Sequence, residues 1–185
     1  MYSEKTQAAE QAAATLTANT STIEGVASTG AYTVECFDAN GNLKWSDVIK
    51  NLVVTQGKNN MLDEYFEGSG YTPAWYLGLV DGATSPTYNA ADTMGSHAGW
   101  SEFTSYSEAT RPAPTWSAAS SGSKATTATS FSISGSGTVA GAFMTTNSTK
   151  SGTTGTLYSA GNFTGGSRSV ASGDTLNVTY TATLT

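Results

Sequence analysis

The C-terminal end of the chain has the clearest alternation of apolar and polar residues. In residues 175–184, with the sequence TLNVTYTATL, every second side chain is apolar or aromatic, and threonine or asparagine lies between them. A period of two residues is typical of a β-strand with one buried and one solvent-facing side. The side predicted to be buried consists of Leu176, Val178, Tyr180, Ala182 and Leu184.

The same alternation predicts a β-hairpin at the start of the body. Tyr32, Val34 and Cys36 recur at every second position of AYTVECFD, and the run LKWSDVIKNLVV follows a few residues later. The two runs flank Asn40-Gly41, a dipeptide that favours a tight two-residue turn because both residues tolerate a positive φ. We therefore predict a strand, a turn and a returning strand over residues 31–54.

Residues 55–68 change to a helical period. In TQGKNNMLDEYFEG, Met61, Leu62, Tyr65 and Phe66 recur at the spacing of one helix face, and Gly68 is positioned to end the helix. This is the one helix that we predict in the body. The next run, YTPAWYLGLVDG, is apolar on both sides, which indicates a central strand.

Residues 82–117 are predicted to form one long loop rich in aromatic side chains. The C-terminal third that follows is predicted to be a β meander, made of the runs ATTATSFSIS, GTVAGAFMTT, TLYSAGNF and TLNVTYTATLT. Seven or eight strands at this spacing predict a mainly β protein: a two-sheet antiparallel β-sandwich, jelly-roll-like, with one short helix. We expect the sandwich to span residues 30–185.

Residues 1–29 differ from the sandwich and are predicted to form an N-terminal arm, partly helical or extended. The segment starts with Ala-rich, helix-forming sequence and ends in TSTIEGVASTG, which does not favour a helix. An arm that becomes ordered on a partner and a tail without a binding role both fit this pattern. The predicted partner-binding residues are the few apolar side chains of the arm: Tyr2, Leu16, Ile23 and Val26.

The composition restricts the classes of partner. Charged residues make up 12% of the chain, against about 25% in typical soluble domains. The formal net charge is −6 and the basic residues are scattered, so we expect no nucleic-acid partner. No apolar run is long enough for a membrane span, and the N-terminus lacks the pattern of a signal peptide. The sequence thus predicts synthesis in the cytoplasm and no membrane partner.

Few residues could carry out chemistry. The single histidine, His97, has Ser96 beside it and Asp92 and Glu102 five residues away on either side. Adjacency in sequence is weak support for a hydrolytic triad, whose members meet in the fold, so an ordinary hydrogen-bonded loop histidine is favoured. The single cysteine, Cys36, allows no intramolecular disulfide and is predicted to be a buried apolar side chain. We expect no catalytic residue, metal site or cofactor, and no enzymatic activity.

Three tryptophans, Trp75, Trp100 and Trp116, allow two interpretations. They could form stacking platforms for a sugar, or they could fill the sandwich core and hold the long loop against it. Polar residues are not concentrated around them, which favours the packing role.

Three stretches of the chain resemble a family of small virion structural proteins of tailed bacteriophages. They are FDANGNLKWSDVIKNLVVTQGKNNMLDEYF, AADTMGSHAGWSEFTSYSEATRPAPTW and GTVAGAFMTTNSTKSGTTGTLYSAGNFTGGSRSVASGDTLNVTYT. The phrases HAGW and YSEATRP in the second stretch are the most distinctive. The family carries no motif with an assigned catalytic residue, so the resemblance implies no site residues.

The resemblance implies a capsid decoration, or cement, protein with a jelly-roll-like body. Its expected partners are the major capsid protein and further copies of itself, as a dimer or trimer on the capsid surface of the virion. The alternative is a tail or fibre-tip module that binds a host receptor or glycan through the loop from Trp100 to Trp116. The chain has no coiled-coil heptads of the kind that fibre shafts use, which favours the capsid.

Overall fold

Two antiparallel β-sheets packed face to face form the body of the protein, in a computed structural model that describes residues 27–66 and 74–184. The predicted mainly β, two-sheet sandwich with one short helix is therefore confirmed. The predicted partner-binding residues of the arm lie outside the described residues, and their role stays a prediction: Tyr2, Leu16, Ile23 and Val26.

The described residues form eleven strands and one helix. In chain order they are β1 (Ser28–Phe37), β2 (Leu43–Lys50), β3 (Leu52–Val53), α1 (Thr55–Phe66), β4 (Tyr76–Asp81), β5 (Glu102–Phe103), β6 (Ser123–Ala125), β7 (Thr129–Ser132), β8 (Gly137–Thr145), β9 (Leu157–Asn162), β10 (Arg168–Val170) and β11 (Thr175–Leu184). Sheet A has the order β2-β1-β11-β6, and β7 also pairs with β11. Sheet B has the order β3-β9-β8-β4-β5, and β10 also pairs with β8.

The first and last strands pair along their whole length at the centre of sheet A. Tyr32 lies opposite Tyr180, and Val34 lies opposite Val178. All four side chains are fully buried and face sheet B. The alternation predicted for β11 is thus confirmed from Leu176 to Tyr180, whereas Leu184 extends past the core and is exposed. Strand β1 begins two residues before the start predicted for the sandwich.

The predicted hairpin is confirmed, but its turn is longer than the two residues that Asn40-Gly41 suggested. The amide of Asp38 donates to the carbonyl of Asn42 at 2.9 Å, which leaves a three-residue loop with Gly41 at φ 83°. The Asp38 carboxylate accepts the amides of Asn40 and Asn42 at 2.8 and 2.9 Å. These two bonds satisfy loop amides and favour the wider turn.

Helix α1 forms where the helical period predicted it, and it packs on β9 through a glycine. A Cβ atom on Gly57 would lie 2.5 Å from the carbonyl oxygen of Tyr158, so only glycine allows this close approach. Met61 packs against the core, whereas Leu62 points into solvent. Gly68, the predicted end of the helix, lies outside the described residues.

The strands of the C-terminal third exist, but they do not form the predicted meander. Strand β7 pairs with β11 in sheet A, while β8, β9 and β10 lie in sheet B. Alternation of apolar and polar residues predicts which side of a strand is buried but not which strand lies beside it. Strand β8 is buried on both sides and therefore shows no alternation. The linker GGSRSVASGD also contains β10, too short to show a period.

Sheet B is covered on both sides. Leu77 and Leu79 face sheet A in the main core. On the opposite side, Val80 and Phe143 lie in a second apolar cluster that also includes Trp100 from the long loop. The loop therefore packs across the outer side of sheet B by its own apolar side chains.

The two edges of sheet A are closed by neighbouring loops. At the β2 edge, the amide of Thr164 donates to the carbonyl of Val48 at 3.1 Å. At the opposite edge, the amide of Ser107 donates to the carbonyl of Ser132 at 2.8 Å. Strand edges with free amides and carbonyls invite pairing with other chains, and these contacts remove part of that risk.

Candidate functional site

His97 occupies a packing position. Its ring stacks on the Trp100 indole, with the centroids 3.9 Å apart, and its Nδ1 lies 3.0 Å from the Trp100 carbonyl oxygen. The candidate acids are engaged elsewhere: Asp92 accepts the Trp100 indole N–H at 3.2 Å, and Glu102 binds Arg111. Within the described residues, no hydrogen bond joins His97 to Ser96. The interpretation of His97 as an ordinary hydrogen-bonded loop residue is confirmed.

A buried ion pair between Arg111 and Glu102 is the main charged cluster that sequence reasoning missed. The guanidinium donates through Nε and Nη2 to the two carboxylate oxygens, each at 2.9 Å. Both side chains are almost fully buried, at 1% and 5% exposure. A two-point contact of this kind is among the strongest hydrogen-bonded geometries that an arginine makes. The sequence held one indication of this ion pair, an arginine nine residues after a glutamate in a chain with few charged residues.

Both members of the ion pair also form hydrogen bonds with the backbone of the loop between β8 and β9. Arg111 donates to the carbonyl of Asn147 at 2.9 Å and to that of Gly152 at 3.2 Å. Glu102 accepts the amide of Ser151 at 2.6 Å. The sequence WSEF thus supplies Glu102 and the sequence YSEATRP supplies Arg111, and both residues bind the loop between β8 and β9.

Tyr106, from the same stretch, completes the cluster. Its hydroxyl donates to Glu102 at 3.3 Å, and its ring packs in the main core. Burial, followed by the nearby Glu102 charge, raises the pKa of Tyr106 well above its ordinary value. The hydroxyl therefore stays protonated and acts as a hydrogen-bond donor to the carboxylate.

A small cavity of about 210 Å³ lies beside this cluster. Trp100 and Phe143 form part of its apolar wall, and Glu102 and Arg111 form part of its polar wall. The carboxylate and the guanidinium are already bonded to each other. His97, Ser101, Ser151 and Thr153 also line the cavity, and the ring of His97 is stacked on the Trp100 indole.

Cys36 is buried in the main core, as predicted from its apolar surroundings. Burial, and then the charge of Asp174, raise the pKa of its thiol to about 11. A thiol with such a pKa carries little thiolate near neutral pH and is a poor nucleophile and metal ligand. Among residues 27–66 and 74–184, no group of three or more histidine, cysteine or acidic side chains is arranged to hold a metal ion.

Of the three tryptophans that could have bound a sugar, Trp100 is buried, whereas Trp75 and Trp116 are partly buried and pack against the main core. Trp75 contacts Tyr158 edge to face at 5.4 Å, and Trp116 contacts Tyr180 at 6.2 Å. Trp100 lies between the stacked ring of His97 and the ring of Phe143, 5.0 Å away. The packing interpretation is confirmed for all three.

The outer side of sheet A, which we call the open face, is the one broad sheet surface that no described residue covers. Its side chains follow from the register of the strands, since Thr33 pairs with Thr179 and Val48, and Glu35 pairs with Asn177 and Ser46. The open face consists of Thr29, Ala31, Thr33, Glu35 and Phe37 from β1, Leu43, Ser46, Val48 and Lys50 from β2, Thr175, Asn177, Thr179, Thr181 and Thr183 from β11, and Ser123, Ala125, Ser130 and Ser132 from β6 and β7.

Small uncharged side chains dominate the open face. Glu35 and Lys50 are its only charged members among the described residues. Threonine, serine and alanine lose little conformational entropy on burial, whereas lysine and glutamate lose much more. The open face is therefore a broad sheet surface of low charge and low side-chain entropy within the described residues.

In the part of the chain that the structure describes, no helix is long and apolar enough to cross a bilayer. No protein-family model matches the chain, and no curated protein matches it. The open face and the Arg111–Glu102 cluster are therefore interpreted from their own chemistry.

Proposed function

We propose that this chain is a non-enzymatic structural protein of a bacteriophage particle. It binds the outer surface of the capsid, contacts the major capsid protein and stabilises the shell as a decoration, or cement, protein. The observation that carries the proposal is the open face of sheet A, a broad and charge-poor surface that is free for contact with other protein, a further copy of the chain included, on a sandwich whose other sheet is covered on both sides.

The internal contacts support a structural role. The Arg111–Glu102 pair fastens two loops, and the long aromatic loop packs across sheet B. These contacts give a rigid body, which loses little entropy when it docks on a partner. A subunit repeated over a symmetric shell can be retained by modest individual contacts because many act together.

A direct test is to mix the purified protein with capsids stripped of it, pellet the particles and measure occupancy. We expect saturable binding at a fixed ratio to the major capsid protein, and a higher temperature of capsid disruption once the sites are filled. Bovine serum albumin at equal concentration provides the control for trapping in the pellet. Absence from the capsid pellet, together with binding to host cells or their glycans, would overturn the proposal.

A tail or fibre-tip module that binds a host glycan is the alternative raised by the sequence. It would need an exposed aromatic platform in the loop from Trp100 to Trp116. Trp100 is 5% exposed and is stacked against His97, and Trp116 is partly buried against the main core, where it contacts Tyr180 edge to face. Neither ring is a fully exposed platform for a sugar. This packing favours the capsid proposal.

A further inference from the structure

We propose that the partner on the open face is a second copy of this chain. The two copies pack with their open faces together around a two-fold axis, and Glu35 of each copy pairs with Lys50 of the other. This inference rests on the proposed function in that it names the partner of the same surface. Surfaces other than the open face then contact the capsid, and the protein binds the capsid as a dimer.

The placement of the two charges makes the open face complementary to itself. Glu35 lies opposite Ser46, and Lys50 lies opposite Ala31 on the neighbouring strand. The two charges are therefore separated by four residues along the strands, which is about 13 Å. Consider a two-fold axis that lies in the plane between the two facing sheets, passes over the midpoint of the line from Glu35 to Lys50 and is perpendicular to that line. Rotation about this axis places Glu35 of one copy opposite Lys50 of the other, and Lys50 opposite Glu35. One rotation thus forms two opposite-charge pairs, as an isologous interface requires.

The point midway between the two charges falls on the cross-strand pair of Thr33 and Val48, of which Val48 is apolar. The Val48 side chain is 43% exposed although it lies in the middle of a regular strand. In the dimer, Val48 of each copy lies close to the axis and is buried against the partner's threonine and valine side chains. An apolar centre with charges around it is the usual arrangement of a protein interface.

The size of the open face fits a dimer. Strands β1 and β11 each have ten residues, or about 33 Å at about 3.3 Å per residue. Four strand positions at about 4.8 Å make the face about 19 Å wide. Each copy would then cover about 600 Å², and the pair about 1,200 Å², which reaches the lower limit of stable interfaces.

The decisive experiment measures the mass of the full-length protein in solution by sedimentation equilibrium. We expect the wild type to dimerise. E35K and K50E each replace the two Glu35–Lys50 contacts between the copies with contacts of like charge. Each should raise the dissociation constant of the dimer at least about tenfold. The double variant E35K/K50E exchanges the two charges and should restore the dimer.

Matched controls lie on helix α1, away from the open face. D63K and K58E change the net charge by the same amounts as E35K and K50E, at side chains that are also exposed. Both should dimerise like the wild type. Thermal unfolding of every variant verifies that the sandwich is intact.

Three results would overturn the inference. They are a wild type that is monomeric at every soluble concentration, a dimer that neither single reversal weakens, and a double variant that stays as weak as the single ones. Because the measurement uses no capsids, failure here is separate from failure of capsid binding, which the pelleting assay decides.

Discussion

At the scale of single residues, the most consequential contact is the one between Arg111 and Glu102. The two side chains are almost fully buried, and each charge is tolerated because the other is present. Their remaining bonds go to the loop between β8 and β9 and to Tyr106. Removing one charge would leave the other buried without compensation.

We expect E102Q to lower the free energy of unfolding by about 3–5 kcal/mol, because it leaves the buried Arg111 charge unpaired. The variant E64Q, at a helix position outside this cluster, should change it by less than about 0.5 kcal/mol. The measurement is equilibrium unfolding in urea. The double variant E102L/R111M should lose less free energy of unfolding than E102L and R111M lose together as single variants. A neutral effect of E102Q would contradict the role given to this pair.

Residue-scale prediction from the sequence had a clear limit here. The burial of Cys36 and the packing role of Trp100 followed from apolar neighbours, and the structure agrees. The pairing of Glu102 with Arg111 could not be derived, because polar contacts within an irregular segment follow no period. The pairing depends on the path of the chain from β5 to Arg111, which only the tertiary structure shows.

At the scale of elements, two buried aspartates connect sheet A to the loops that flank it. Asp47 of β2 accepts Arg168 at 2.8 Å and Thr164 at 2.8 Å. Asp174 accepts Lys44 at 2.5 Å and the amide of Ala171 at 2.8 Å. Burial by itself would raise the pKa of each carboxyl, but these bonds outweigh it and lower both pKa values.

This lowering gives the stability a defined dependence on pH. A carboxyl with a lower pKa in the folded state stabilises the fold at pH values above its unfolded pKa, and the contribution is lost as the pH falls through the folded pKa. We expect D47N to lower the free energy of unfolding by about 1–3 kcal/mol at neutral pH. The difference from the wild type should shrink towards zero as the pH falls below the pKa of Asp47.

Urea unfolding over a series of pH values measures this effect. D63N, which removes an exposed carboxylate from helix α1, provides the control and should follow the wild type. If the difference between D47N and the wild type were the same in acid as at neutral pH, the ion pair with Arg168 would not be its source.

At the scale of the whole molecule, loops hydrogen-bond to both edges of sheet A, and one sheet face stays open. The aromatic loop covers the outer side of sheet B. Under the proposed function, we expect contacts with other proteins to use the open face and the N-terminal arm. Covered strand edges resist unspecific strand pairing.

The arm can be tested by deleting residues 1–26. We expect the shortened protein to keep the unfolding temperature of the full chain, because β1 begins at Ser28 and pairs with β11 from that residue onward. Binding to stripped capsids in the pelleting assay should weaken, because the apolar residues predicted to bind the partner are lost: Tyr2, Leu16, Ile23 and Val26. A deletion variant that fails to fold would show that the arm belongs to the core.

The sequence by itself determined the local structure of this protein: where most strands and the helix lie, which side of β11 is buried, and where the first hairpin turns. These features follow from side-chain periodicity and turn chemistry, which act over neighbouring residues. Only the tertiary structure decided that β11 lies between β1 and β7, that the aromatic loop covers sheet B, and that the outer side of sheet A stays open. Those outcomes depend on contacts between residues far apart in the chain, since a strand's pattern encodes its buried side but not its neighbour.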